Sequence, residues 1–245
     1  MSIWGKIIGG TAGFALGGPI GAILGVMVGG SFDKKVKHFK NTNKISNQNK
    51  QEIFVLSIII LSAKIAKADG QVTKEEIYAF KEKFKIPEDE ISEVRKIFNH
   101  AKKSKDGYEQ VANQVGSLFS DNKILLEELL NNLFYIAESD GNTSKHEIDV
   151  LKSISTSFGL SDNDFQRISH ARKNIKDSDP YKVLGINRDD DNSIIRNRWI
   201  QLNKEHHPDN LVAKGLPKEF IDQANDELSS INLAYDRIKQ QRGIN

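Results

Sequence analysis

The chain carries the sequence IAKADGQVTKEEI at residues 65–77 and repeats it with one constant offset, as IAESDGNTSKHEI, at residues 136–148. In each copy an Asp-Gly pair ends a helical pattern, and glycine can take the positive φ of a helix C-cap. A hydroxyl residue and a glutamate three positions later follow. This is the spacing of a capping box, in which the two side chains satisfy free amides at the start of the next helix. The repeat therefore predicts a helix, a turn and a second helix at two places.

Helical periodicity extends on both sides of these turns, and nothing alternates with a period of two for long enough to indicate a strand. The predicted helical segments are 51–68, 73–85, 88–103, 107–120, 122–138, 144–158 and 161–174. The apolar run 53–63 is too short to cross a bilayer, so we interpret it as a buried core helix. Residues 51–175 are thus predicted to form one all-α bundle.

The acidic positions of the repeat admit a second interpretation, a metal site. Their spacing matches the second half of an EF-hand loop, but the positions of the first and third ligands hold Ile65 and Lys67, or Ile136 and Glu138. Helix capping explains the residue types without a cation, and we therefore predict neither a metal nor a cofactor. The carboxylates that a cation would use are Asp69, Glu76, Asp140 and Glu147.

A charge-free stretch at residues 7–32 precedes the helical region. As a helix it would be about 39 Å long, which is enough to cross a bilayer core with some tilt. Its glycines recur every four residues and form a stripe that allows a second helix to approach closely. The expected dimerisation contacts are Gly9, Gly13, Gly17, Gly21 and Gly25. We therefore predict a transmembrane helix that pairs in a homodimer.

Charges beside the apolar stretch predict its orientation. Residues 33–50 hold six lysines and one acidic residue, Asp33, whereas residues 1–6 hold only Lys6 and the α-amino group. By the positive-inside rule the short N-terminus lies outside, and the polar tether 33–50 and all that follows lie in the cytoplasm. A nucleic-acid partner is not predicted, because only Phe39 in the basic run could stack on a base.

Composition excludes several classes of protein. The 245 residues include 35 Lys and Arg against 33 Asp and Glu, a balance that excludes a general polyanion binder. Cysteine is absent, which excludes disulfides, thiolate zinc sites and cysteine nucleophiles. The sequence also lacks a P-loop, a dinucleotide fingerprint and a nucleophile–base constellation, so we do not predict an enzyme.

The C-terminal region predicts two helices joined by a His-Pro-Asp turn. A short helix and turn at 180–186 precede a helix over about 192–205, and a long helix runs over about 218–241. The apolar faces consist of Ile195, Trp199 and Leu202 on the first long helix, and of Phe220, Ala224, Leu228, Ile231, Tyr235 and Ile238 on the second. Two such faces pack as an antiparallel hairpin, which places residues 207–209 at its exposed tip.

The tripeptide alone admits three interpretations. It could be an ordinary turn, because Pro and Asp are turn residues. The neighbouring His206 and His207 could bind a metal, but adjacent side chains converge poorly and no third ligand is evident. The third interpretation is recognition of a partner protein, and the surrounding sequence favours it.

Several motifs occur in the order of a known domain. DPYKVLGI at 179–186, HPD at 207–209 and INLAY at 231–235 resemble the J domain of DnaJ-type co-chaperones over residues 179–245. The bundle at 51–175 resembles the TerB-like helical domain, which carries this acidic turn twice. With the N-terminal span, the whole chain resembles the membrane-anchored DnaJ-like co-chaperones.

This resemblance implies a single-pass type III protein of the bacterial inner membrane. Its J domain would stimulate the ATPase of a DnaK-class chaperone and feed envelope-stress or capsule signalling. The alternative function is that of a membrane scaffold or stress sensor that acts through the TerB-like domain, with a secondary or inactive J domain.

Carried over to this chain, the resemblance assigns the contact with the chaperone to six residues. They are His207, Pro208 and Asp209 in the turn, and Arg196, Arg198 and Lys204 on the preceding helix. For these three cations an ordinary solvated face is the alternative. The chain departs from the family pattern where Ile200, Gln201 and Asn210 replace common Arg and Lys residues. Because charge pairing mainly speeds encounter, we expect a slow or partner-selective interaction.

Overall fold

The computed structural model describes residues 3–4, 18–27, 47–68, 80–82, 84–139, 143–173 and 178–244. The helices are α1 (Gly18–Met27), α2 (Asn47–Ala68), α3 (Ile91–Lys103), α4 (Tyr108–Leu118), α5 (Lys123–Ala137), α6 (Lys145–Ser157), α7 (Asp162–Ala171), α8 (Pro180–Leu184), α9 (Asn192–Glu205), α10 (Pro208–Lys214) and α11 (Ile221–Arg242). A 3₁₀ turn, Lys218–Phe220, precedes α11. These residues contain no β-strand, and the all-α prediction is confirmed.

Helix α2 forms the centre of the bundle. Every residue from 52 to 66 is buried, because α3, α4, α5 and α6 pack around the helix. A helix that is apolar on all sides is expected in such a position. The hydroxyl of Ser57 donates to the carbonyl oxygen of Ile53, 2.7 Å away, within the same helix. The prediction of a buried core helix over 53–63 is confirmed.

The second copy of the repeat forms the predicted capping box. The Ser144 hydroxyl accepts from the amide of Glu147 at 3.1 Å, and the Glu147 carboxylate accepts from the amide of Ser144 at 2.8 Å. These bonds satisfy two amides at the start of α6. The corresponding turn of the first copy, at 69–79, lies outside the described residues.

The C-terminal region forms the predicted hairpin. Helices α9 and α11 pack together over α8, and Trp199 stacks on Tyr235 with 4.4 Å between ring centroids. The buried residues of this small core are Tyr181, Val183, Leu184, Ile195, Leu202, Ile231, Ala234 and Ile238. A second group of apolar residues from the same region, Leu211, Leu216, Phe220 and Ala224, lies instead in the core of the bundle.

The connection between α9 and α11 differs from the sequence prediction. We expected the His-Pro-Asp tripeptide to interrupt the helices and residues 210–217 to be a loop. Instead, Pro208 is the first residue of α10, which ends at Gly215 with a φ of 110°. Proline suits the first position of a helix, because the amide it lacks has no partner there in any case.

The described parts of the N-terminal segment pack against the bundle. Trp4 is fully buried beside Phe84 and Phe220, and the amide of Ile3 donates to Glu219 at 3.0 Å. Helix α1, with Ile20 buried, packs on α3 and α4.

Among the residues that the structure describes, no helix is both long and apolar enough to cross a membrane. Of the predicted span 7–32, only the ten residues of α1 are described. Gly21 and Gly25 lie on α1, whereas Gly9, Gly13 and Gly17 lie outside the described residues.

Candidate functional site

The His-Pro-Asp turn (the HPD turn, residues 207–209) joins the end of α9 to the start of α10. His207 is the N-cap of α10, and its Nδ1 accepts from the backbone amide of Asp209 at 3.2 Å. Pro208 follows with its backbone fixed by the ring. The side chain of His207 is 56% exposed and that of Asp209 is 96% exposed. The turn therefore presents an imidazole and a carboxylate to solvent.

Asn210 fixes the turn from its other side. Its side-chain amide donates to the carbonyl oxygens of Lys204 at 3.1 Å and Glu205 at 2.8 Å. These carbonyls lie in the last turn of α9, where carbonyls lack partners within the helix. The sequence identified Asn210 only as a departure from the family pattern and gave no sign of this capping role.

The three predicted cations occupy two environments. Arg196 and Lys204 are exposed, and Ile200, 42% exposed, lies between them at helical spacing on the same face of α9. Arg198 is partly buried. Its Nε donates to the carbonyl of Leu184 at 3.2 Å, and burial lowers its pKa. Arg196 and Lys204 are thus open to a partner, whereas Arg198 makes contacts within the chain.

His206, the residue before the HPD turn, is fully buried against the helical bundle. Its Nδ1 lies 3.2 Å from Glu128 Oε1 and 3.7 Å from Glu227 Oε1. Its Nε2 lies 3.4 Å from Glu127 Oε2. The guanidinium of Arg167 donates to both Glu127 and Glu227, to the latter at 2.8 Å. We call these five residues the His206 cluster.

The cluster shifts the protonation of its members. Burial alone would raise the pKa of Glu127, but Arg167 and His206 lower it to about 2. Burial and the neighbouring charge of Glu227 raise the pKa of Glu128 to about 7. Burial would lower the pKa of His206, yet the carboxylates around it raise the value to about 9. Near neutral pH the imidazole is therefore protonated inside the protein.

The interpretation of His206 and His207 as a metal-binding pair is not supported, because one side chain is buried and the other is exposed. No third ligand was evident in the sequence, but the fold brings donor atoms of Glu128, His206 and Glu227 within 4.8 Å of one another. These carboxylates, however, already neutralise Arg167 and the protonated imidazole.

The carboxylates of the repeat are placed only in part. Asp69, Glu76 and Asp140 lie outside the described residues. Glu147 is buried and caps α6 through the amide of Ser144. Its carboxylate thus has a structural role that needs no cation.

A helical hairpin with an exposed HPD turn, seated on an all-helical bundle, defines a J-domain protein. Two known families match the parts of the chain that precede this hairpin. The family described as tellurite resistance protein TerB matches residues 55–170, and the co-chaperone DjlA transmembrane domain matches residues 1–49. No solved structure matches the chain.

Relatives with similar sequences extend over the whole chain. The chain is 30% identical to the co-chaperone protein DjlA of Vibrio vulnificus and to that of Aliivibrio fischeri. Each alignment covers 100% of this chain and 100% of the relative. It is 27% identical to co-chaperone protein DjlA of Photobacterium profundum, over 99% of this chain and 100% of that protein. The chain belongs to the DjlA family of co-chaperones, and the family resemblance seen in the sequence is confirmed.

Proposed function

We propose that this protein is a co-chaperone of the bacterial inner membrane that stimulates ATP hydrolysis by a DnaK-class chaperone through its HPD turn. Membership of the DjlA family supports the membrane co-chaperone role. The observation that supports stimulation of ATP hydrolysis is the geometry of the HPD turn. It exposes His207 and Asp209 while bonds on both sides hold its backbone.

The exposed groups of the turn suit a polar contact with another protein. Because Nδ1 of His207 accepts from the Asp209 amide, the neutral ring carries its proton on Nε2 and can donate it to a carbonyl of the chaperone. The Asp209 carboxylate can accept charge-assisted hydrogen bonds from cations of the chaperone. Pro208 restricts the backbone between the two side chains, which lowers the entropy lost on binding.

The face of α9 beside the turn supplies the electrostatic part of the contact. Arg196 and Lys204 are exposed and can pair with acidic groups of the chaperone. Ile200 adds an exposed apolar group between them. With two open cations rather than a continuous basic face, electrostatic steering is weak, and we expect association to be slow.

We further propose that residues 7–32 span the membrane and pair through Gly9, Gly13, Gly17, Gly21 and Gly25, with the N-terminus in the periplasm. The match of residues 1–49 to a transmembrane family and the lysines of residues 33–50 support this arrangement. A membrane-spanning segment at 7–32 is incompatible, in one molecule, with the packing of Trp4 beside Phe220 and of α1 on α3 and α4. Labelling of single cysteines in spheroplasts distinguishes the two arrangements.

The function is tested by single-turnover ATP hydrolysis of the cognate DnaK-class chaperone with the full chain in nanodiscs. We expect the unaltered chain to accelerate hydrolysis and His207→Gln to abolish the acceleration. His146→Gln, at an exposed position on α6, is the matched control and should behave as the unaltered chain does. No acceleration by the unaltered chain would favour a membrane scaffold or stress sensor acting through the TerB-like domain.

A further inference from the structure

We propose that Glu127 and Glu128 of α5 are positioning residues for the HPD turn, because they bind His206 and so fasten the turn to the helical bundle. On this view the bundle decides how the turn is presented to the chaperone. The inference rests on the proposed function, since the orientation of the turn matters only if a chaperone binds to it.

The position of His206 in the chain makes this coupling direct. His206 is the C-cap of α9 and is bonded to His207, the N-cap of α10. Its Nε2 faces Glu127, and its Nδ1 faces both Glu128 and Glu227 of α11. A movement of this ring out of the cluster would therefore move the first residue of the HPD turn.

The other end of the turn is also attached to the bundle. Leu211 of α10 and Leu216 after it are fully buried in the bundle core. The side-chain amide of Asn122, the N-cap of α5, donates to the carbonyl of Lys214 at 2.9 Å. Helix α5 thus holds the connection before and after the turn, and the exposed residues between have little freedom to reorient.

The buried charges give this attachment its specificity. The carboxylates of Glu127 and Glu227 pair with Arg167, whereas that of Glu128 faces His206. A proton on His206 reduces the excess negative charge that the cluster holds out of water, and such an excess is strongly unfavourable. Lys123, 2.9 Å from Asp164 and 3.6 Å from Glu127, and the partly buried Arg198 lie at the edge of this site.

The sign of the pH dependence follows from these groups. The pKa of His206 is raised from 6.5 to about 9, and that of Glu128 from 4.5 to about 7. These two side chains therefore bind protons more tightly while the turn is docked than after its release. The contribution of His206 is complete below pH 6.5 and is lost as the pH rises through 9. That of Glu128 is lost between pH 4.5 and 7. Docking should therefore weaken from neutral to alkaline pH.

The first test measures docking without a chaperone. Hydrogen exchange of the amides of residues 209–216 is followed in the full chain in nanodiscs at about pH 7 and pH 9.5, corrected for intrinsic exchange. We expect protection to fall at least about tenfold with this change of pH, the effect of one unit of pKa. His206→Gln should be poorly protected already at neutral pH, and Glu127→Gln should resemble it.

Glu138→Gln is the control for that test, because Glu138 follows the other end of α5 and pairs with Arg172 instead. It should show the protection of the unaltered chain at both pH values. Equal protection of the unaltered chain at both pH values would overturn the proposal even if the variants failed to fold. Full protection in His206→Gln at neutral pH would overturn it as well.

The second test measures positioning. The stimulation of single-turnover ATP hydrolysis by the unaltered chain is divided by that of His206→Gln at each pH. We expect a ratio well above one at neutral pH that approaches one near pH 9.5, which a merely destabilised variant would not show. Suppose that the unaltered chain stimulates hydrolysis and His207→Gln does not, but that the ratio is one at every pH. This result would overturn the positioning role and leave the proposed function standing. No stimulation by the unaltered chain would overturn the proposed function and, with it, this inference.

Discussion

The side chain of Asn210 donates to the carbonyl oxygen of Glu205 across 2.8 Å, so the residue after the HPD turn caps the helix before it. A second bond, to the carbonyl of Lys204 at 3.1 Å, completes the cap. Together with the bond from the Asp209 amide to His207, this closes the turn from both sides. The residue that departs from the common lysine of the family pattern thus stabilises the backbone of the turn.

Asn210→Ala should lower the free energy of unfolding by about 1 kcal/mol, the usual net value of such hydrogen bonds, and should also reduce stimulation of the chaperone. Urea unfolding of the chain in detergent measures the first effect. Asn197→Ala, at an exposed position of α9, is the control and should change little. Equal stability of the two variants would contradict the capping role.

Gly116 marks a close contact between α4 and the end of α6. A Cβ at this position would lie 2.4 Å from the carbonyl oxygen of Ser157, which is backbone and cannot move aside freely. We expect Gly116→Ala to lower the free energy of unfolding by about 1–3 kcal/mol in the same assay. The neighbouring exposed Ser117→Ala should be nearly neutral, and similar losses in both variants would show that this contact is unimportant.

Glu127 should contribute to the acid limb of stability. Its pKa is lowered from 4.5 to about 2, so its contribution is present above pH 4.5 and is lost as the pH falls through 2. In Glu127→Gln the decline of stability over this range should be shallower by up to about 3 kcal/mol. Thermal unfolding at several pH values measures the difference. Parallel curves for the variant and the unaltered chain would show that Arg167 and His206 do not act on this carboxylate.

The orientation in the membrane can be tested with single cysteines, since the chain has none of its own. In spheroplasts, an impermeant maleimide should label Ser2→Cys. Ser193→Cys, at an exposed position in the first turn of α9, should be labelled only after lysis. Labelling of Ser2→Cys only after lysis would instead agree with the packed position of Trp4 beside Phe220.

Local signals predicted much of the fold. Ser144 and Glu147 set the start of α6, and the observed helix Lys145–Ser157 lies within one residue of the prediction at each end. Helix α10 was missed because proline was interpreted as an interruption, although it also begins helices. Local sequence patterns thus predict most helices, but they do not decide whether a proline ends a helix or begins one.

The His206 cluster could not be predicted in this way. Glu128 and His206 are 78 positions apart, and Arg167 and Glu227 are 60 positions apart. In the sequence each of these residues resembles an ordinary surface charge, because only the packing of α5, α7 and α11 removes them from water. The HPD turn was found because its residues are contiguous.

Stimulation of the chaperone's ATP hydrolysis by the exposed HPD turn is tested most directly at Asp209. Phosphate release in a single turnover of the chaperone–ATP complex is measured with increasing amounts of the full chain, of Asp209→Asn and of the exposed control Asp189→Asn. We predict acceleration by the unaltered chain and the control, and the intrinsic rate with Asp209→Asn at every concentration. Equal acceleration by all three chains would contradict the account.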